Sequence, residues 1–216
     1  MAWENQYIQL VTTKPGVIVA ESDKELAPET VQSIRSRQRE FERCFVELGS
    51  GSGMHLLKLA VQNPKSLCVG FEIRFKRAFR TGEKAESRGL SNVMLVRTDA
   101  RNLSTIFEPG SVDAFFINYP DPWDKRRWRK NRLINEELLS TMWERLKPSG
   151  FVRYKTDHHE YFSSTMALVT EERWEIRRNT TDLFNSPFAD GNIPTEFELL
   201  FKSQSKPLCL SEFVKR

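Results

Sequence analysis

The sequence has few residues of the kinds that form disulfides or bind metals, and it has no long apolar run. Only three cysteines and three histidines occur in 216 residues, and none shows C-x-x-C or H-x-x-x-H spacing. We therefore expect free thiols in a reducing compartment and no bound metal. The first residues lack the basic and then apolar pattern of a signal peptide, and no run could cross a bilayer. These absences predict a soluble, cytoplasmic protein with no membrane partner.

Positive charge is concentrated in one short segment of the chain. The net charge of the whole chain is +4. Between Trp123 and Arg132, however, there are six basic residues and one acidic residue, which give a local net charge of +5. Two tryptophans are interleaved with these charges, a combination typical of nucleic-acid-binding surfaces. A solvated loop that only keeps the protein soluble is the alternative.

Chain length and pattern predict one α/β domain over residues 1–216, in which residues 1–40 form a lead-in segment. From residue 41 onward, short apolar runs alternate with helical patterns, as in a parallel sheet covered by helices on both faces. The predicted strands are Phe45 to Leu48, Leu67 to Phe71, Val93 to Arg97, Val112 to Ile117, Phe151 to Lys155, Trp174 to Arg177 and Glu196 to Phe201. This arrangement resembles the Rossmann-like sheet of class I methyltransferases, which has seven mostly parallel strands and an antiparallel terminal strand.

Four helices are predicted between these strands, and one before them. In the first, Leu56, Leu57, Ala60 and Val61 share one face. The others cover residues 75–88, 138–146 and 161–170. A lead-in helix over residues 28–41 carries Arg35, Arg37 and Arg39, which form either a solvated face or an extension of an RNA-binding surface.

The glycine-rich segment E-L-G-S-G-S-G, residues 47–53, connects the first of these strands to a helix. Gly49, Gly51 and Gly53 allow the backbone to turn sharply and to approach a ligand closely. Dinucleotide sites use the same place with G-x-G-x-x-G spacing, which this segment lacks. Glu47 would also repel a pyrophosphate, whereas it would attract an ammonium group.

Acidic residues follow four successive predicted strands. They are Glu47, Glu72, Asp99, which precedes Ala100, and Asp121. The carboxyl ends of strands in an open α/β sheet converge on the ligand-binding crevice. S-adenosylmethionine has a sulfonium and an ammonium group against one carboxylate, so these acids favour it as the cofactor. Any one of them alone could instead be a loop cap.

The segment N-Y-P-D-P-W-D-K-R-R-W, residues 118–128, resembles the P-D-P-W motif of the bacterial tRNA (guanine-N7-)-methyltransferases. Three further segments are similar to that family: the glycine-rich segment, K-T-D at residues 155–157, and T-E-F-E at residues 195–198. The resemblance implies methyl transfer from S-adenosylmethionine, which leaves S-adenosylhomocysteine, to N7 of guanine 46 in the tRNA variable loop. Positions His55, Asp124, Trp128 and Asn131 depart from the family pattern.

The resemblance also implies roles for individual residues. Cofactor contacts would come from Glu47, the three glycines, Glu72, Asp99, Ala100 and Asp121. Substrate contacts would come from Lys125, Asp157, Thr195, Glu196, Phe197 and Glu198. RNA contacts would come from Arg127, Trp128, Arg129, Lys130, Asn131 and Arg132. Asp121 is the predicted catalytic residue, because a carboxylate can stabilise the purine as it becomes cationic. For Asp157, a cap on the following helix is the alternative.

Two other functions remain open at this point. One is a different RNA methyltransferase, although Asn118-Tyr119-Pro120 does not match the N-P-P-[YF] motif of adenine-specific enzymes. The second is a non-catalytic RNA-binding subunit that keeps the fold. The sequence leaves the oligomeric state open between a monomer and a homodimer.

Overall fold

In the computed structural model, residues 5–14, 16–20 and 26–216 are described. These described residues divide between two compact units, of which the first ends at Phe107 and the second begins at Glu108. The predicted lead-in segment 1–40 falls partly outside the described residues. Among the described helices, none is long and apolar enough to cross a membrane.

The first unit contains four strands and five helices among its described residues. The strands are β1 (Val17–Val19), β2 (Arg43–Leu48), β3 (Ser66–Phe71) and β4 (Val93–Arg97). The helices are α1 (Tyr7–Val11), α2 (Pro28–Gln38), α3 (Met54–Gln62), α4 (Phe75–Ser87) and α5 (Leu103–Ile106), with a 3-10 turn at Ala100–Asn102.

All strand pairs described in this unit are parallel, in the order β1, β4, β3, β2. Strand β3 is buried along its whole length, as expected for a parallel strand covered on both faces. Helix α3 buries Leu56, Leu57 and Ala60, but Val61 is 59% exposed, so its predicted place on the same face is wrong. A helix of 3.6 residues per turn carries Val61 round to the solvent side.

The second unit contains four strands and three helices. The strands are β5 (Val112–Asn118), β6 (Leu146–Thr156), β7 (Trp174–Thr180) and β8 (Cys209–Lys215). The helices are α6 (Glu136–Arg145), α7 (His159–Met166) and α8 (Glu196–Ser203), and a 3-10 helix covers Arg126–Asn131. Strand β5 pairs with β6 in parallel, and β8 lies antiparallel between β6 and β7.

The α/β class and the antiparallel terminal strand are confirmed, but two details of the predicted sheet are wrong. The described residues contain eight strands rather than seven, because the three-residue strand β1 was not predicted. Residues Glu196 to Phe201, predicted as the last strand, lie in helix α8. The last strand is β8, which begins at Cys209.

The arginines of α2 do not share one role. Arg35 donates to the carbonyl oxygens of Thr105 and Ile106, at 2.9 Å each, and thereby ties α2 to α5. Arg37 donates to the Ser91 carbonyl and pairs with Glu40. The side chains of Arg35 and Arg37 therefore make structural contacts within the first unit.

Candidate functional site

The glycine-rich segment turns between β2 and α3 as predicted. Gly49, Gly51 and Gly53 all have positive φ, at 76°, 56° and 78°, a region in which residues with a Cβ are strained. A Cβ on Gly53 would also lie 2.3 Å from Thr81 Cγ2. The N–H groups of Gly49 and Ser50 donate to the Phe71 carbonyl, which fastens the turn to the end of β3.

Glu72 follows β3 and binds this turn directly. Its Oε2 accepts from Gly51 N–H at 3.0 Å, and its Oε1 accepts from Arg74 N–H at 2.8 Å. The residue is 5% exposed. Each carboxylate oxygen can accept a second hydrogen bond, so the geometry is compatible with two further donors from a ligand.

Glu47 is buried at the end of β2 beside a histidine. Its Oε1 lies 3.2 Å from His55 Nδ1, and both side chains are 2% exposed. Burial, and then the negative charge of Glu47, raise the pKa of the Cys68 thiol to about 12. The contact with His55 accounts for one position at which the sequence departs from the family pattern.

Asp99 follows β4, as predicted, and its side chain also caps the turn that comes next. Its Oδ1 accepts from Arg101 N–H at 2.9 Å, and its Oδ2 lies 2.7 Å from Arg101 Nη2. The hydrogen bond from the Arg101 side chain lowers the pKa of Asp99, against a smaller opposing effect of burial. Ala100 begins the 3-10 turn. The loop-cap alternative therefore explains the contacts of Asp99 in this structure.

The loop after β5 holds Asp121 in a turn. Its Oδ1 accepts from Trp123 N–H at 3.1 Å, and Pro120 and Pro122 restrict the backbone on either side. Asp121 is exposed to solvent. Tyr119 and Trp123, which lie two residues before and two residues after Asp121, have φ of 53° and 47°. Two residues of this loop are therefore in the left-handed region of backbone geometry.

Within the basic segment, Lys125 to Arg132, residues Arg126–Asn131 form an exposed 3-10 helix around a tryptophan. Lys125 Nζ lies 4.7 Å and Arg127 Cζ 5.0 Å from the centroid of the Trp128 ring. Trp123 packs edge-on against the same ring, with centroids 6.2 Å apart. Lys130 and Asn131 are also exposed, whereas Arg129 pairs with Glu160 at 3.1 Å.

Arg132 differs from the rest of this segment because its side chain is only 8% exposed. It donates to the Pro122 carbonyl at 2.9 Å, to Ser164 Oγ at 3.0 Å and to Glu160 Oε2 at 2.5 Å. The guanidinium also lies 4.5 Å from the centre of the Tyr161 ring. These contacts make Arg132 an anchor between the loop and α7 in this structure, and its RNA contact stays a prediction.

Asp157 does not cap the helix that follows it, so that alternative is wrong. The cap of α7 is His158, whose Nδ1 accepts from Tyr161 N–H at 3.0 Å. Asp157 instead pairs with Lys206, with Oδ2 2.5 Å from Nζ. His158 Nε2 also lies 2.6 Å from Asp124 Oδ1, which explains a second departure from the family pattern.

Thr195 and Glu198 form a capping box at the start of α8, since each side chain accepts from the other's backbone N–H. Glu198 is 0% exposed, and its Oε1 lies 2.5 Å from Lys155 Nζ. Its Oε2 accepts from Asn192 Nδ2 at 2.6 Å. The predicted substrate residue Glu198 is thus held inside the unit. Phe197, in contrast, is 53% exposed, and Glu196 is exposed.

Tyr119 is a site residue that the sequence analysis did not select. Its ring lies 6.1 Å from Phe197 and 5.9 Å from Phe201, measured between centroids. Burial, then the charges of Glu198 and Asp157, raise the pKa of its hydroxyl. Tyr119 therefore lies among the predicted substrate residues. Its position at the end of β5, directly before P-D-P-W, is the sequence feature that could have identified it as a site residue.

The sequence matches one protein family over most of its length. The family profile described as "Putative methyltransferase" matches residues 41–210, which contain every predicted site residue. The tRNA (guanine-N(7)-)-methyltransferase of Lachnoclostridium phytofermentans is 36% identical over 163 residues, which cover 76% of each chain.

A longer relative and a solved structure extend the similarity. A bifunctional glycosyltransferase/methyltransferase of Fusobacterium nucleatum is 33% identical over 202 residues, which cover 91% of this chain but only 30% of that protein. The structure of the 16S rRNA methyltransferase KamB has a TM-score of 0.63 at 16% identity, and the match covers 92% of this chain and 99% of KamB. That likeness confirms the class I methyltransferase fold. The chain belongs to the bacterial tRNA (guanine-N7-)-methyltransferase family of class I methyltransferases.

Proposed function

We propose that this protein transfers a methyl group from S-adenosylmethionine to N7 of guanine 46 in tRNA. The observation that carries the proposal is the family match over residues 41–210. A relative named tRNA (guanine-N(7)-)-methyltransferase is 36% identical to the chain. The segments that carry the resemblance, including P-D-P-W and T-E-F-E, all lie within the match.

The cofactor would be held in the first unit by residues that the turn already organises. Glu72 keeps acceptor capacity for ribose hydroxyls after binding Gly51 N–H and Arg74 N–H. The buried carboxylate of Glu47 suits the ammonium of the methionine moiety, because an opposite charge stabilises a buried charge. S-adenosylmethionine, when bound, supplies an electrophilic methyl group. Asp99 and Ala100 complete the proposed contacts.

The reaction needs alignment and charge stabilisation more than proton transfer. Guanine N7 has an in-plane lone pair and no proton, so methylation does not need a strong base. The purine becomes cationic as the new bond forms, and a preorganised carboxylate lowers the energy of that charge. We assign this role to Asp121. Its side chain is held in place by the hydrogen bond from Trp123 N–H and by the flanking prolines.

The substrate guanine would be recognised by its Watson–Crick edge, which presents two N–H donors beside a carbonyl. Asp157, with a side chain 28% exposed, is better placed for this than the enclosed Glu198. We therefore propose that Asp157 accepts from the base, while Glu198 and Thr195 hold the start of α8. The exposed Lys125 and Phe197 complete the proposed substrate contacts.

Incubating unmodified tRNA with the protein and methyl-labelled S-adenosylmethionine tests the proposal. The tRNA is digested to nucleosides and analysed by mass spectrometry. We expect label in 7-methylguanosine. Label in another nucleoside would indicate a different RNA methyltransferase, and absence of label with normal tRNA binding would indicate a non-catalytic RNA-binding subunit.

We expect Glu47→Gln and Glu72→Ala each to weaken S-adenosylmethionine binding by about tenfold or more, because each removes a charge-assisted acceptor. Calorimetric titration beside a thermal melting curve measures affinity and folding separately. Glu83→Gln, which alters an exposed acid on α4, is the matched control and should bind normally. Normal cofactor affinity in both test variants would contradict the assignment of these two acids.

Changing Arg127, Arg129 and Lys130 together to alanine should reduce the salt dependence of tRNA binding. Each lost phosphate contact lowers the slope of log affinity against log salt by about 0.7 to 0.9, so we expect a decrease of about two to three. Filter binding at several salt concentrations measures the slope. The triple variant of Lys58, Lys65 and Arg88 to alanine removes the same charge elsewhere and should change the slope little. Equal slopes in both triple variants would indicate that the basic segment is only a solvated face.

A further inference from the structure

The Tyr119 hydroxyl is one of several buried polar groups in the second unit that lack a hydrogen-bond partner among the described residues, and the Tyr154 hydroxyl is another. The Tyr119 oxygen is inaccessible to solvent. Buried polar groups normally have a partner, and leaving one without a partner lowers stability. The packing of the ring against Phe197 and Phe201 does not need this hydroxyl, since phenylalanine has the same ring.

The backbone at Tyr119 carries a second cost. Its φ is 53°, in the left-handed region that residues with a Cβ seldom adopt. Its N–H donates to the Lys155 carbonyl at 2.9 Å, which fixes the residue at the end of β5. Strained backbone and unpartnered polar groups concentrate at functional sites, where a ligand or a reaction makes use of them.

The groups near this hydroxyl indicate what it could bind. Glu198 lies on α8 between Phe197 and Phe201, the two residues whose rings contact the Tyr119 ring. Asp157 pairs with Lys206, whose Nζ lies 4.4 Å from the centroid of the Phe201 ring. Burial, and then the charges of these two acids, raise the pKa of the phenol, so it keeps its proton. A protonated phenol beside carboxylates presents one donor next to acceptors. The complementary ligand has an acceptor next to donors. Guanine fits, because its O6 accepts while N1–H and the 2-amino group donate; adenine has an amino group in place of O6.

We infer that Tyr119 is a specificity-determining residue whose hydroxyl, enclosed in the free protein, donates a hydrogen bond to O6 of the target guanine when the base displaces the exposed Phe197 ring beside it. This inference rests on the proposed function and deepens it. Asp157 accepts from the N–H groups of the same edge. The hydroxyl lowers the stability of the free protein, and it favours guanine over purines that lack an acceptor at position 6.

The test compares the parent protein with Tyr119→Phe on two tRNAs. One carries guanine at the target position, and the second carries 2,6-diaminopurine, which keeps N7 and the 2-amino group but has an amino group in place of O6 and an unprotonated N1 in place of N1–H. The change at N1 affects the parent and the variant alike, so a difference between them reports on O6. We expect Tyr119→Phe to lower kcat/KM for guanine about fivefold to tenfold, the range of one lost hydrogen bond. Its kcat/KM for diaminopurine should stay the same, so the preference for guanine falls.

Two further measurements separate recognition from packing. The melting temperature of Tyr119→Phe should equal or exceed that of the parent, because the variant removes a buried hydroxyl without a partner. Tyr154→Phe is the matched control: it removes a hydroxyl from a fully buried tyrosine on β6 and should leave the preference for guanine unchanged.

The possible failures are distinguishable. A parent protein that forms no 7-methylguanosine overturns the proposed function, and the inference with it. An active parent with an unchanged guanine preference in Tyr119→Phe overturns only the inference. Equal losses on both tRNAs, or a lower melting temperature with the preference kept, would show that the hydroxyl serves packing and would also overturn it.

Discussion

Replacing Asp121 with asparagine is expected to slow methyl transfer about a hundredfold, equivalent to about 2.7 kcal/mol of transition-state stabilisation. Asparagine keeps the shape of the side chain and an oxygen that can accept from Trp123 N–H, as Asp121 Oδ1 does. The turn should therefore survive, and the variant isolates the loss of negative charge. Single-turnover methylation with saturating cofactor and tRNA measures the rate of the chemical step.

Asp121→Ala is the companion variant, because it removes both the charge and the turn acceptor. If the carboxylate acts on the developing positive charge, asparagine should be nearly as slow as alanine. A rate for asparagine within about threefold of the parent, with alanine much slower, would instead assign Asp121 to the loop turn alone.

Removing the charge of Glu198 is expected to cause the largest loss of stability in the second unit. Glu198→Met leaves the ammonium of Lys155, which is 0% exposed, without its ion-pair partner. An uncompensated buried charge typically lowers the free energy of unfolding by about 3 to 5 kcal/mol. The variant also loses one half of the capping box that begins α8. Urea unfolding followed by circular dichroism measures the effect.

The double variant Lys155→Met with Glu198→Met distinguishes an ion pair from a general packing role. Replacing both charges by apolar side chains of similar length removes the buried ammonium together with its carboxylate, and such replacements are often close to neutral. We therefore expect the double variant to recover most of the stability lost in the single variant. A double variant less stable than Glu198→Met would contradict the ion-pair explanation.

The parallel part of the fold was predictable because its strands are buried on both faces. The predicted strand Val93 to Arg97 agrees with β4 at both ends, and the predicted glycine turn has three positive φ values at the predicted positions. In both cases local chemistry and tertiary position favour the same structure. Strand β1 is only three residues long, too short to show a period.

Helix α8 is an element for which the apolar pattern of the sequence predicts the wrong secondary structure. The apolar residues among 196–201 predict a strand, but Thr195 and Glu198 form a capping box that begins a helix. The T-x-x-E spacing was visible in the sequence and is a recognised helix start. The resemblance implies substrate contacts for these residues, and the structure shows that Thr195 and Glu198 also begin the helix.

The contacts of individual side chains could not be predicted from charge alone. Arg132 counts toward the local charge of the basic segment, yet its donors are used by Pro122, Ser164 and Glu160. Glu160 lies 28 residues further along the chain, so the sequence pattern gives no indication of the pair. The orphan hydroxyl of Tyr119 depends on long-range packing in the same way.

Methylation of a tRNA that carries 7-deazaguanosine at position 46 tests the central claim most directly. In this base a C–H group replaces N7, while the Watson–Crick edge is unchanged. The account predicts rapid methyl transfer to the unmodified tRNA, normal binding of the substituted tRNA, and no methyl transfer to it. Equal methyl incorporation into both tRNAs would contradict guanine 46 N7 as the site of methylation.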